Sequence, residues 1–391
     1  MNVGIFTDTF SPDINGVTTS VNTVRNGLIR HGQDVFIVAP NNRFRYGTDP
    51  AERIWRLPSV PFYGERRFRF VFPVSFHQAD IFRLPLEIVH TQTPFPVGAL
   101  GYILAKSKGL PLIHTYHTRY QEYGHYLHLP VRMLRAISKT GMNSILRFVG
   151  GHDAVIAPSS SIKRELESFG IHKPIHIIPT GIDIERAERL SLGNDSSNIL
   201  RPFGISSQDE YLIFASRLGK EKNISFILDA MRIIATKKPS LKLVIVGDGD
   251  VKRSLTAYAA RIGLRNQVVF TGFLSHEALF PLYRRARVML FSSLTETQGL
   301  VILEAMALGV PVVALRATGV EDALAGDQGG FLIEPGSYET FAAKVIALVD
   351  NNGLRAQKSE EAQVRAAEFS IETTTKNLIA LYESVRLAKS K

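Results

Sequence analysis

The chain has 391 residues, 45% hydrophobic and 21% charged, a length that is generous for one core and comfortable for two globular domains. Cysteine is absent, which excludes disulfides, thiolate metal sites and a Cys nucleophile. A formal charge of +10 calls for an anionic partner: nucleic acid, an anionic membrane or a phosphorylated ligand.

Short apolar runs of β type alternate with longer helical patterns from end to end, the mark of parallel sheets. In the first half, strands are expected over 2–7, 34–39, 52–56, 88–91, 111–115, 154–158 and 175–178, with helices over 18–31, 97–108 and 160–169. Val21, Val24 and Leu28 recur at spacings of three and four, as a buried helix face requires. The stretch 190–198 is rich in Ser, Asn and Gly and reads as a linker. The rhythm restarts with strands over 211–215, 242–246, 268–271, 288–291 and 311–314, and a final helical pattern covers 371–387. No run of 18 apolar residues predicts a transmembrane helix, and the N-terminus reads as a first strand instead of a signal peptide. The expected architecture is α/β: two doubly wound, Rossmann-like parallel-sheet domains facing across a cleft, with ligands at the carboxyl ends of strands. The first domain is expected over residues 1–190 and the second over 191–367.

The most informative stretch runs from Glu296 to Val313. It sets Glu296 and Glu304 eight positions apart, around a Gly299 turn that opens a helix. A helix N-terminus offers free backbone N–H groups to a phosphate, and the two acids could grip hydroxyls on either side of it. Arg217 and Lys222 fall just past the strand 211–215, where they could neutralise a departing diphosphate. Two cations and two carboxylates at strand ends suit a nucleotide sugar. No DxD dipeptide is flanked by a strand as metal-dependent sugar transferases have it; Asp248-Gly-Asp250 looks like part of a turn. No metal and no cofactor are therefore expected, the two cations standing in for Mg²⁺. His117 lies at the end of the strand 111–115, where a ligand-facing side chain is expected; His114 falls on the opposite face and receives no role, and His90 is a weaker candidate for contact with the acceptor. Gly16 fits a close backbone approach to phosphate.

These motifs, with Phe6-Thr-Asp-Thr-Phe-Ser-Pro, Ile113-His-Thr-Tyr-His117-Thr, Ala157-Pro-Ser-Ser-Ser161, Ile178-Pro-Thr-Gly181-Ile-Asp183 and Phe270-Thr-Gly-Phe273, resemble the retaining glycosyltransferases of family 4 and GT-B fold. The resemblance runs end to end. It implies that Glu304 holds the donor's ribose and Glu296 the hydroxyls of the transferred sugar. It also implies that the backbone at Gly299, Leu300 and Val301 faces the distal phosphate. His117 would approach the reacting centre without being a nucleophile, and residues 368–391 would pack back onto the first domain. Many relatives have Phe where this chain has Gln298.

The segment 116–126, with Tyr120, Tyr123 and His125, looks like the diacylglycerol glucosyltransferases of bacterial glycolipid synthesis. Beyond it, Leu134, Ile137, Met142, Ile145 and Leu146 alternate with Arg132, Arg135, Lys139 and Arg147. Such a basic amphipathic helix can lie in an anionic membrane interface, or pack its apolar stripe on the domain. A second basic knot, Arg66-Arg67-Phe68-Arg69, sits among aromatics between Phe62 and Phe76. The expected function is transfer of a hexose, glucose from UDP-glucose, to membrane diacylglycerol with retention of α configuration. The enzyme would be cytoplasmic and attached peripherally to the inner face of the cell membrane. Galactosyl, mannosyl-phosphatidylinositol and sulfoquinovosyl transfer are the alternatives within the class. Outside it stands a basic nucleic-acid-binding protein, which would show salt-dependent oligonucleotide affinity but for which no motif is present.

Overall fold

The structure, a computed structural model, describes residues 1–13, 15–41, 46–62, 65–71, 78–117, 131–193 and 195–390, the side chains at 62, 65–68, 70, 78 and 131–140 excepted. The chain divides into two compact units, Met1–Gly181 with Ile371–Lys391, and Ile182–Ser370. The division falls before the linker expected over 190–198. That polar stretch instead belongs to the second unit, where Ala187, Leu200 and Ile205 are buried in the core. The apolar residues on either side of the Ser, Asn and Gly cluster decide its place.

In the first unit the elements are β1 (Asn2–Phe6), α1 (Gly16–Arg30), β2 (Asp34–Pro40), β3 (Gly47–Asp49), β4 (Ile54–Leu57), β5 (Ser59–Phe62), β6 (Glu65–Val71) and α2 (Gln78–Phe82). They continue with β7 (Ile88–Thr91), α3 (Pro96–Lys108), β8 (Leu112–Thr115), α4 (Val131–Gly150), β9 (Ala154–Ala157), α5 (Ser160–Ser168) and β10 (Ile175–Ile177). One sheet has the order β10-β9-β8-β7-β1-β2-β4-β3, parallel except for the short β3. β5 and β6 form a separate antiparallel hairpin. β7, β8 and β9 are buried along their whole length, so they read as near-continuous apolar runs. The helices have local reasons to begin and stop: Asn15 caps α1 by accepting from the Thr18 N–H, and Pro96 opens α3, which closes on Gly109 in the left-handed region.

The second unit contains α6 (Ile184–Ser191), α7 (Ser196–Leu200), β11 (Tyr211–Ala215), α8 (Ile224–Lys237), β12 (Lys242–Val246), α9 (Lys252–Arg261), β13 (Val268–Gly272) and α10 (His276–Arg285). After these come β14 (Val288–Phe291), α11 (Leu300–Ala307), β15 (Val312–Leu315), α12 (Val320–Ala323), β16 (Gly330–Ile333), α13 (Tyr338–Asp350) and α14 (Asn352–Ala367). The sheet is wholly parallel, in the order β13-β12-β11-β14-β15-β16. Alternate residues of β11 serve two cores: Tyr211, Ile213 and Ala215 face one, Leu212 and Phe214 the other.

The last helix, α15 (Ile371–Lys389), belongs to the first unit and buries Leu378, Leu381 and Tyr382 beside α1. A Cβ at Gly27 of α1 would collide with the Thr375 hydroxyl, so glycine lets the two helices cross closely. Each main sheet reverses its strand order once, between β1 and β7 and between β11 and β14. Crevices at the carboxyl ends of such strand pairs are where open α/β sheets bind ligands.

Candidate active site

In the second unit the chain leaves β11 through Ser216, Arg217 and Leu218 and enters a short 3₁₀ turn, Lys220–Lys222. Asn223, in the left-handed region, then starts α8. The neighbouring β14 is followed directly by Ser292 and Ser293, both fully buried. The Ser292 hydroxyl donates to the Lys222 carbonyl at 2.8 Å, and that of Ser293 to the Glu221 carbonyl at 3.4 Å. Two strand-end serines thus fix the turn that carries the cations. Lys222 Nζ lies 2.7 Å from Glu296 Oε2 with both side chains largely shielded, and Arg217 pairs with Glu221. The cations expected to meet a diphosphate are therefore each held by a carboxylate. Glu221 is a member of the site that sequence reasoning missed, although it stands four residues after Arg217.

Gly299 has φ 75° and caps α11, and the residues that follow, Leu300 and Val301, open the helix. As first-turn N–H groups they have no intrahelical acceptor, which is the arrangement that suits an anion. A Cβ at Gly319 would strike the backbone of Glu296 and Thr297, so the loop before α11 is packed down tightly. Gln298, at the position of the relatives' Phe, is buried.

Glu304 is 8% exposed, not on the solvent face common for a helical glutamate. Burial raises its carboxyl from 4.5 to about 7, against a smaller opposing pull from Arg186. His276 Nε2 lies 3.7 Å away, in a ring stacked on Phe280, and burial lowers that imidazole below its ordinary range, so it supplies no full countercharge near pH 7. The fully buried Tyr283 hydroxyl has no hydrogen-bond partner, and both burial and the Glu304 charge keep it protonated. A carboxylate this dry is costly unless hydroxyl donors reach it.

Asp248 and Asp250 lie in the turn after β12. Gly247 and Gly249 have φ 136° and 159°, and a Cβ on either would strike the Ser216 or Leu218 carbonyl. Asp248 is spent on the Gly249 N–H and Lys252. Among the described residues no cluster of three metal-ligating side chains occurs.

In the first unit, three buried polar systems gather at the carboxyl ends of β1, β7 and β8. Asp8 follows β1 and accepts from the Thr93 hydroxyl and from the Val97 and Gly98 N–H groups at the start of α3. Desolvation pushes its carboxyl up to about 6 despite these bonds. His90 sits between the Tyr382 hydroxyl of α15 and the Thr115 hydroxyl, at 2.6 Å from each. That burial corrects its expected contact with the acceptor: both ring nitrogens are engaged inside the unit. His117 Nε2 lies 2.6 Å from Gln92 Oε1, and burial lowers the imidazole to about 4, so it is neutral near pH 7. His114 falls on the other face of β8, where it and His152 meet the Thr91 hydroxyl. A Cβ at Gly16 would meet no protein atom within 4 Å, so nothing in the fold itself demands glycine there.

Tyr120, Tyr123 and His125 lie outside the described residues, as do the side chains of Arg132, Arg135 and Lys139, although α4 forms as a 20-residue helix. Most of the side chains between Phe62 and Phe76 lie outside them too. Among the described residues no helix is long and apolar enough to cross a membrane.

Comparison with known proteins identifies the family and the fold. The model of the Glycosyltransferase Family 4 matches residues 14–186, and that of the Glycosyl transferases group 1 matches 195–365. The alpha-monoglucosyldiacylglycerol synthase of Streptococcus pneumoniae is 34% identical over 80% of this chain and 71% of its own. The synthase of the same name from Acholeplasma laidlawii is 28% identical over 98% and 96%. Sucrose-phosphate synthase from Thermosynechococcus elongatus has TM-score 0.78 at 19% identity, with 99% of each chain covered. Anabaena HepE in complex with UDP and glucose has TM-score 0.73 at 20% identity, covering 98% of this chain and 100% of that one. With both units matched in order and a relative above 30% identity over most of its length, the chain belongs to the family 4 glycosyltransferases and is an enzyme of GT-B fold.

Proposed function

We propose that this glycosyltransferase moves glucose from UDP-glucose to the hydroxyl of membrane diacylglycerol, retaining the α configuration and using no metal. One observation carries the reading: Lys222 and Glu296 are ion-paired at 2.7 Å where β11 and β14 diverge, beside the Gly299 cap and N-terminus of α11. The names of the two synthases support the acceptor. The complexes of a fold neighbour with UDP and with UDP-glucose support the donor.

A diphosphate entering the second unit takes over Lys222 and Arg217 from their carboxylates. Glu296 is thereby released toward the sugar hydroxyls, while Glu304 receives the ribose hydroxyls as an ionised acceptor. The bond between the anomeric carbon and the β-phosphate oxygen then breaks. The acceptor oxygen bonds to the same face of that carbon, and its proton passes to the departing phosphate. Positive charge held in place before the reaction stabilises the leaving UDP without reorganisation. Gly16 leaves room for phosphate to approach the backbone, and His117 meets a hydroxyl of the sugar. On this reading the protein is cytoplasmic and held peripherally at the inner membrane face, with Tyr120, Tyr123, His125, Arg132, Arg135 and Lys139 on the acceptor side.

The test is mass spectrometry of lipid products after incubation with a panel of sugar nucleotides and diacylglycerol liposomes. Monoglucosyldiacylglycerol from UDP-glucose is expected. A product only from another sugar nucleotide, such as the sulfoquinovosyl donor implied by the name of a plant relative 29% identical over 71% of this chain, would replace the donor assignment.

A further inference from the structure

We propose that Gln92 is a positioning residue: its amide oxygen accepts from Nε2–H of His117, fixing that tautomer and leaving Nδ1 as a lone-pair acceptor for a substrate hydroxyl. The inference deepens the proposed function and rests on His117 meeting the sugar.

β7 and β8 are parallel neighbours with His90 beside Ile113 and Thr91 beside His114, so Gln92 continues one strand as Thr115 ends the other. The Gln92 N–H donates to the Phe6 carbonyl at 2.9 Å, which pins its backbone to β1. Its side chain is 0% exposed and reaches His117 at 2.6 Å. Among the described residues the amide nitrogen has no partner, and the bond to His117 is the polar contact that orients the side chain. Among the described residues His90 and His114 are electrostatically coupled to His117; both are buried and neutral, and neither offers the negative charge that would favour its protonation.

An uncharged acceptor suits this position better than a carboxylate. In a neutral imidazole, one nitrogen donates and the other accepts, and the partner of the first decides which. A glutamate at position 92 would orient the ring equally well but would raise its pKa and shift it toward imidazolium. Imidazolium cannot accept a hydroxyl hydrogen. It would also repel the positive charge that grows on a sugar's anomeric carbon as the phosphate departs. Glutamine fixes the tautomer without adding the proton.

The test uses the full chain with ¹⁵N-labelled histidine. Long-range ¹H–¹⁵N spectra, with the His117 signals assigned by their loss in His117→Ala, report the tautomer without any turnover. The expected wild-type form is Nε2–H; a wild-type Nδ1–H tautomer overturns the proposal. Gln92→Leu should lose the tautomer preference. It should also lower kcat roughly ten- to a hundredfold, the usual worth of a group that orients a functional imidazole. KM for the sugar nucleotide should stay within about twofold, because the group acts in the transition state. Gln92→Glu should hold His117 protonated to higher pH, so that turnover recovers as pH is raised. A Gln92→Leu enzyme with wild-type kcat, or one whose loss tracks a fall in melting temperature in both variants with no change of tautomer, also overturns it. If His117→Ala keeps full turnover while the wild-type ring is Nε2–H, the fault lies with the reading of His117 at the substrate and not with the Gln92 bond.

Discussion

The two units present opposite chemistry at the carboxyl ends of their switch-point strands. The second carries charge: Lys222 with Glu296, Arg217 with Glu221, and Glu304, whose carboxyl burial raises to about 7. The first carries a carboxylate, Asp8, tied to the Thr93 hydroxyl and the start of α3, and beside it neutral groups: His90 between two hydroxyls and His117 against an amide. A leaving diphosphate needs fixed positive charge. A sugar carbon that becomes electron-poor is better met by neutral acceptors. The same βαβ scaffold supports both, because what differs is the handful of residues just past each strand.

The largest expected effect breaks the charged half. Lys222→Ala and Glu304→Ala should each lower turnover by at least about a hundredfold, the scale of losing one preorganised electrostatic contact. Circular dichroism should show the fold intact, since both side chains serve the site and not a core. Near-normal turnover in either variant would remove the donor assignment.

Metal chemistry offers a second way to break the comparison. If the two cations do the work of Mg²⁺, purified enzyme keeps its activity in excess chelator. Complete loss, restored by Mg²⁺ or Mn²⁺, would contradict this.

Charge reversal of Arg132, Arg135 and Lys139 together sharpens it from the first unit. Each surface-proximal cation contributes roughly 1 kcal/mol to binding an anionic bilayer. The triple variant should therefore sediment poorly with anionic liposomes and transfer slowly to diacylglycerol in membranes, with nucleotide binding unchanged. Equal binding of both proteins to neutral and anionic liposomes would assign α4 to packing alone.

A smaller effect separates the two halves by pH. Glu304 binds its proton more tightly folded than unfolded, so it lowers stability as pH rises from 4.5 through about 7. Glu304→Gln should thus melt higher than wild type by about 5 °C at pH 8, a gap that shrinks toward pH 5. The histidines of the first unit act in the other sense. His90, His117 and His152 fall from 6.5 to about 3, 4 and 4, so stability is lost as pH drops below 6.5. Asp8 opposes them between 3.8 and about 6, one group against several. Calorimetry across pH 5 to 8 checks both signs; a gap that widens toward pH 5 would reverse the assignment.

Much of this was legible in the sequence. Parallel strands covered on both faces announce themselves as apolar runs, and every strand expected in the second half is present. β16 was not anticipated, because Gly329-Gly330 breaks the pattern just where a Cβ at Gly330 would strike the Val312 carbonyl of β15. The boundary expected at 190 falls nine residues past the observed one at Gly181, since composition shows where a chain is polar and not which core its apolar residues enter. Candidate charges could be named, but not their pairing: Lys222 and Glu296 are 74 positions apart. The burial of Glu304 and the roles of Gln92, Ser292 and Ser293 depend on strand register, which spacing alone does not reveal.

The most direct test of the charged second unit is calorimetric titration of UDP and of uridine into wild type, Arg217→Ala, Lys222→Ala and His117→Ala. The account predicts that each cation variant weakens UDP at least about tenfold, the scale of one charge-assisted contact, while uridine binds all four proteins alike. A variant that loses UDP and uridine equally, or Arg217→Ala and Lys222→Ala proteins that bind UDP like wild type, would contradict it.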